Sequence, residues 1–505
     1  MFPSSSDKSR VTVLALLAAL ALPTHPRAQA APAAQGAAPA AQGAASVADS
    51  AQAEEPAPTV EKLDEKIRIL ERKLELKAED EDKAKSENAS VTAGKDGFSI
   101  ASADKESVLK FKFFQHIDGR AFFEDDAKKL PNTLLLRRVR PVWEGTVGKY
   151  YNFRIQPEFS GTFQILDAYG EVAFWPQARL RVGKSKTPLG LERLQSSQDM
   201  GIIEFAHPTS LTPNYDLGIS LLGDLLDERL SYSVGVFNGA VDGTSRDVDL
   251  NDDKDLIGRV FALPFKSGSL EPLRNFGLGF AASWGFKQGD SANSEVPTFK
   301  TEGQQTFFSF RSAASKAPAV TYNATTKVVA NSNAVSSDTG TVRALGNGYR
   351  LNPQAYWYVG PVGLFGEYIV SSQEVSKGGA NTDVHALSAS AWNATLSYVV
   401  TGESPSFKGL KPRHPVSFTD GGWGALELVG RASGITIDEA AFPDFANPAP
   451  SAQAATTYTA GFNWYLSRYL KWSTDYEWTK FDGGAAAGAD RPEEKVLFSR
   501  LQTSF

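Results

Sequence analysis

Two pairs of arginines recur at two-residue spacing, Arg138 with Arg140 and Arg179 with Arg181, and Arg154 lies between them. Residues i and i+2 of an extended strand share a face. Val139 and Trp143, Phe153, Ile155 and Phe159, and Leu180 and Val182 occupy the alternate positions, so apolar groups fill one face and guanidinium groups the other. A guanidinium keeps its charge and offers forked donors, a chemistry suited to oxyanions. By the same parity Arg259, Arg350, Arg431 and Arg500 join the charged face, whereas Arg137 falls on the apolar one, where it is expected to snorkel to an interface or end a strand. Glu144, Glu158, Asp167 and Glu171 share the charged face. The arginines therefore serve either as an anion track or as one half of a structural ion-pair network. Beyond them, residues 185–216 form a long connection that brings Lys186 and Arg193, with Lys184 at its edge, beside Glu192, Asp199 and Glu204.

Other chemistries find little footing. Cysteine is absent, which removes disulfides, thiolate metal sites and cysteine nucleophiles. His25, His116, His207, His385 and His414 show no metal-ligand spacing. Asp247, Asp249 and Asn251 open like a calcium loop, but Asp252 and Gly258 stand where glycine and glutamate are needed. No nucleophile elbow, phosphate-binding loop or dinucleotide fingerprint occurs. A barrel lipase would need a Ser and a His on a lipid-facing rim, and neither His116 nor His385 has such a neighbour motif. The expectation is a protein without enzyme activity, cofactor or metal, and without a nucleic-acid partner, since the net charge is only −6.

The elements that carry these side chains follow from hydropathy rhythm. From residue 108 the period is two. Leu166, Ala168, Gly170, Val172 and Phe174 alternate with Asp167, Tyr169 and Glu171, and Leu470, Trp472, Thr474, Tyr476 and Trp478 alternate with charged and small residues. No run beyond the first 25 residues reaches the roughly 18 apolar residues of a spanning helix. Only a closed barrel then crosses a membrane. Sixteen candidate strands fall at 109–122, 132–145, 151–160, 164–174, 178–184, 217–224, 229–238, 255–263, 275–287, 348–359, 362–372, 385–400, 422–434, 456–466, 468–481 and 494–505. The long connections 185–216, 239–254, 288–347 and 435–455 are all odd-numbered and the short ones even-numbered, the pattern of bacterial barrels; 402–421 is the exception. The expectation is all-β: a transmembrane antiparallel β-barrel of about 16 strands in the lipid of a bacterial outer membrane. Sixteen strands leave an aqueous lumen. The terminal Phe505 is similar to the signal read by outer-membrane assembly machinery.

Ahead of the barrel, Lys8 and Arg10, the apolar stretch Val11 to Leu22 and Ala28-Gln29-Ala30 read as a signal peptide over 1–30. Residues 31–58, rich in Ala, Pro, Gln and Gly, read as a disordered linker. Over 59–78, Val60, Leu63, Ile67, Leu70 and Leu74 give spacings of 3 and 4, a short coiled-coil stalk in the periplasm. Residues 79–107 read as a second linker and 108–505 as the barrel. An alternative function is a structural tether, with the stalk joining the barrel to the cell wall.

Three stretches resemble the phosphate-selective porin O/P family: Gly183-Lys184-Ser185-Lys186-Thr187-Pro188-Leu189-Gly190-Leu191-Glu192-Arg193-Leu194-Gln195-Ser196-Ser197; Arg229 to Tyr232 with Gly235 to Gly239; and Tyr398 to Glu403 with the ending Phe498 to Phe505. The resemblance covers about 105–505. It implies a homotrimer of 16-stranded barrels, a short periplasmic helical segment, a third loop folded inward as a constriction, and passive passage of small anionic solutes such as phosphate along arginines and lysines. On that basis Arg138, Arg140, Arg154, Arg179 and Arg181 are the expected lumen path, with Lys184, Lys186 and Arg193 at the constriction. The lysines that confer phosphate preference on the family have no residue-by-residue match here.

Overall fold

A computed structural model describes residues 59–94, 97–123, 130–249, 251–290, 292–312, 320–323, 328–331, 340–378 and 383–505. The expected signal peptide and first linker lie outside these residues. The described residues divide into two units between Leu74 and Glu75. Helix α1 runs Val60–Glu87. Its heptad residues Val60, Leu63, Ile67, Leu70 and Leu74 are all exposed. The helix outlasts the heptad by nine residues, because Glu, Lys and Ala after Ala78 are good helix formers although they carry no apolar stripe. Part of the expected linker 79–107 is thus ordered, and more follows: Ser90–Gly94 and Gly97–Ala101 form a hairpin.

The barrel strands are β1 (Val108–Phe122), β2 (Thr133–Val147), β3 (Tyr151–Glu158), β4 (Gln164–Trp175), β5 (Ala178–Ser185), β6 (Asp216–Leu225), β7 (Leu230–Phe237), β8 (Asp255–Ala262), β9 (Phe276–Gln288), β10 (Val342–Val359), β11 (Val362–Lys377), β12 (Val384–Val399), β13 (Ala425–Ile437), β14 (Ala452–Tyr465), β15 (Leu470–Gly483) and β16 (Glu494–Ser504). Each pairs antiparallel with its sequence neighbour, and β16 pairs with β1 from Val496↔Phe122 to Ser504↔Phe114, which closes the ring. All sixteen expected segments are strands. Closure leaves no free edge, so the backbone polar groups of the wall are paired in lipid. Outside, alternation exposes Leu180, Val182, Ile219, Trp284, Trp392 and Tyr458.

The hairpin 90–101 continues the pairing on β1 below β16, with Phe98 opposite Phe111. Phe505 exchanges backbone hydrogen bonds with Phe113 at 3.1 and 3.0 Å, and its ring meets Phe98, Phe111 and Phe113 at 5.6 to 5.9 Å.

The interior is not simply open. The connection 186–215 leaves β5 and crosses the lumen. On the far wall Glu367 of β11 accepts from Leu191 and Glu192 N–H at 2.7 and 3.0 Å, and Asp475 of β15 accepts from Ile203 N–H at 2.6 Å. The connection 289–341 also dips inward as a hairpin, Thr298–Lys300 with Thr306–Ser309. Its Phe299, Phe307 and Phe308, at most 3% exposed, join Leu189, Leu211, Ile369 and Ile435 in one apolar core. The long connection 400–424 turns inward as well. Phe407 stacks on Tyr356 and Phe365, and its carbonyl accepts from Gln195 Nε2 at 2.9 Å.

Candidate functional site

The wall made by β2 to β5 carries the arginines, and four of the five expected on the lumen path have carboxylate partners. Arg140 Nε lies 2.6 Å from Glu158. Arg154 bonds Asp167 at 3.0 Å and also Glu144. Arg181 meets Glu171 at 2.7 Å and stacks over Tyr169 at 4.1 Å. Arg179 reaches Asp224 at 3.0 Å. The acidic partners include all four that the sequence placed on this face.

Arg138 differs. It is 2% exposed, donates at 3.2 Å to the ring nitrogen Nδ1 of His116, and makes no ion pair among the described residues. Its Nε has no hydrogen-bond partner, nor has His116 Nε2. A buried guanidinium without a counter-charge is unfavourable unless an anion or water completes it.

Arg137 corrects the sequence expectation. The register passes from His116↔Arg138 to Ile117↔Leu136, so Arg137 is the extra residue of a β-bulge. The bulge turns it inward, where it donates to Glu204 at 2.8 and 3.1 Å. Arg120 joins the same carboxylate at 2.9 Å. Burial would raise the Glu204 carboxyl, but Arg137, Arg138 and Arg120 outweigh it and hold the group well below the ordinary glutamate range.

Within 186–215, Arg193 lies over Phe205 at 4.4 Å, with Arg138 over the same ring at 5.6 Å. It donates to the Thr209 carbonyl at 3.1 Å, and its Nε has no partner among the described residues. Lys186 donates to the Gln195 carbonyl at 2.7 Å; burial first, then Arg193, Arg140 and Arg154, lower it to about 7. Lys184, at the end of β5, is 3% exposed; it pairs across the sheet with Ala168 and Leu217, and its ammonium bonds Asp247 of the 239–254 connection.

Arg350 and Arg431 face inward as expected but hold the loops. Arg350 bonds Asp242 at 2.6 Å. Arg431 joins Glu192 at 3.0 Å and also Glu302, clamping both inward connections to β13. Arg500 is matched by Asp118 at 2.7 Å, and Arg259 by the Gln354 amide oxygen at 3.0 Å.

Two cavities flank the 193–204 stretch. One of about 740 Å³ is lined by Arg137, Arg138, Arg140, Arg193 and Glu204 with many hydroxyl and amide side chains. The other, about 450 Å³, lies toward the turns: Lys110, Lys112, Lys408, Lys411, Arg468 and Lys471 border it, with Asp199. Nothing in the spacing signals this second cluster, because its members come from β1, the 400–424 connection, the β14–β15 turn and the start of β15. No group of three or more metal-ligating side chains occurs among the described residues.

A closed 16-stranded barrel with a charged, loop-narrowed interior defines the porin class of outer-membrane channels. The family model for phosphate-selective porin O and P matches residues 112–505, and the chain belongs to that family. No curated protein matches it in sequence. Among solved structures it is similar to the outer-membrane channel DcaP of Acinetobacter baumannii, with 10% identity, 79% of this chain and 97% of that one covered, and a TM-score of 0.48. It is similar to OmpT of Vibrio cholerae in its trimer form at 8% identity, with coverage of 79% and 99% and a TM-score of 0.46. An anion-selective porin from Comamonas acidovorans gives 12%, coverage of 79% and 100%, and 0.45.

Proposed function

We propose that this porin passes small hydrophilic solutes by diffusion, prefers anions such as phosphate, and holds them transiently at Arg138. The observation that carries this reading is the missing counter-charge. Arg140, Arg154, Arg179 and Arg181 are neutralised by carboxylates, while Arg138 sits buried at a cavity wall without one. Rings and clusters of Arg and Lys favour anions in a pore. The basic border of the second cavity supports the same preference at the other end. Arg140, Arg154, Arg179 and Arg181 then serve as a polarised wall, and Lys186 and Arg193 contribute at the constriction. Export by a cleaved signal peptide, a periplasmic position for α1 and a homotrimeric assembly belong to this proposal.

Reversal potential across a planar bilayer under a KCl gradient tests it. Arg138→Gln should move the potential toward cations, and Arg181→Gln should move it far less. Equal shifts, or none, would remove Arg138 from its role.

A further inference from the structure

The 740 Å³ cavity above the constriction is large for an inorganic phosphate and lies within the roughly 300–1,000 Å³ range of organic ligand sites. Every carboxylate on its lining is engaged: Glu158 by Arg140, Glu204 by Arg137 and Arg120, Asp242 by Arg350, and Glu302 by Arg431. Arg138, Arg193 and Lys300 remain without a carboxylate partner among the described residues, and the two arginines both stack on Phe205 and both have an unpartnered Nε. Much of the rest of the lining is neutral hydroxyls and amides, among them Thr162, Gln164, Ser210, Ser245 and Thr298. Asn214 gives the wall a direction. Its Nδ2 donates to the Gly243 carbonyl at 2.7 Å, which leaves Oδ1, a buried acceptor, without a donor. Chloride has no proton to give such an acceptor and inorganic phosphate near neutral pH has only one or two on a compact ion, whereas a polyol carries several spread over its length.

We propose that this cavity is a subsite for a sugar-sized polyol bearing one anionic head group, with the head on Arg138 and Arg193 and the hydroxyls on the neutral wall. The proposal rests on the anion-porin reading and adds the solute class. Binding is non-covalent and consumes nothing.

The test is block of single-channel chloride current by added solute. Glucose 6-phosphate and gluconate should half-block at about a tenfold lower concentration than inorganic phosphate and hexanoate, respectively, the effect of one or two net hydrogen bonds. Uncharged glucose should block weakly. Asn214→Ala should bring the glucose 6-phosphate to phosphate ratio toward one, and Asn214→Ser, which keeps an acceptor, should retain part of it. Block that follows charge alone, with phosphate as potent as its sugar ester, would overturn the subsite while leaving the anion porin intact. A channel that conducts cations in preference, or does not conduct, would defeat the porin reading and the subsite together.

Discussion

A guanidinium buried in a protein interior is stabilised by a carboxylate, or else it binds a transient partner. Arg137 and Arg138 are adjacent in sequence and take opposite solutions: Glu204 matches the first, while the second meets the imidazole ring of His116 and no carboxylate among the described residues. Glu204→Gln breaks a buried pair from one side, an effect worth about 3–5 kcal/mol. The variant should lose its heat-resistant folded band in detergent at a lower temperature than the parent, and an unchanged transition would show that Arg137 is satisfied otherwise. Because the Glu204 carboxyl is held low, its stabilisation is present above the ordinary glutamate range and fades as pH falls through the lowered value. Lys186 titrates the other way in consequence. Held near 7, it is charged at pH 6 and largely neutral at pH 8, so anion preference should decline across that interval. Lys186→Arg should flatten the profile. A parent channel whose reversal potential is the same at both pH values would contradict this role.

At the scale of elements, the wall was legible and the loops were not. Alternation is a local consequence of the pleat, so every strand from β1 to β16 could be read from its own residues. A bulge breaks that rule by one position, and the bulge at Arg137 is why the sequence sent this residue toward lipid. The inward hairpin of the 289–341 connection had no such signal. Its Phe299, Phe307 and Phe308 find their partners on walls more than a hundred residues away in sequence from some of their neighbours in the core, such as Leu189 and Ile435. Phe308→Ala should cost about 3–5 kcal/mol in that core. Its denaturation midpoint should drop and the open-channel current should become larger and noisier, because the hairpin narrows the lumen. A stable variant with parental current would mean that the hairpin is held by polar bonds alone.

For the whole molecule, the exposed heptad of α1 and the closed barrel raise the matter of assembly. Five apolar side chains in a stripe are too few to hold a coiled coil alone, and they gain by pairing only when barrels bring copies together. Deleting residues 59–89 should therefore leave single-barrel conductance unchanged and increase the fraction of monomer seen by analytical ultracentrifugation in detergent. An unaltered trimer fraction would assign the contact to the barrel wall.

The sequence by itself determined that this chain closes sixteen strands into a membrane barrel, which side chains alternate inward, and which carboxylates accompany the arginines. These properties repeat every two residues and need no distant partner. Only the tertiary structure decided that three connections fill much of the interior, that Glu204 takes Arg137 and leaves Arg138 without a carboxylate, and that lysines from three separate segments border one cavity. Those outcomes depend on contacts between residues far apart in the chain, where spacing carries no record of who meets whom.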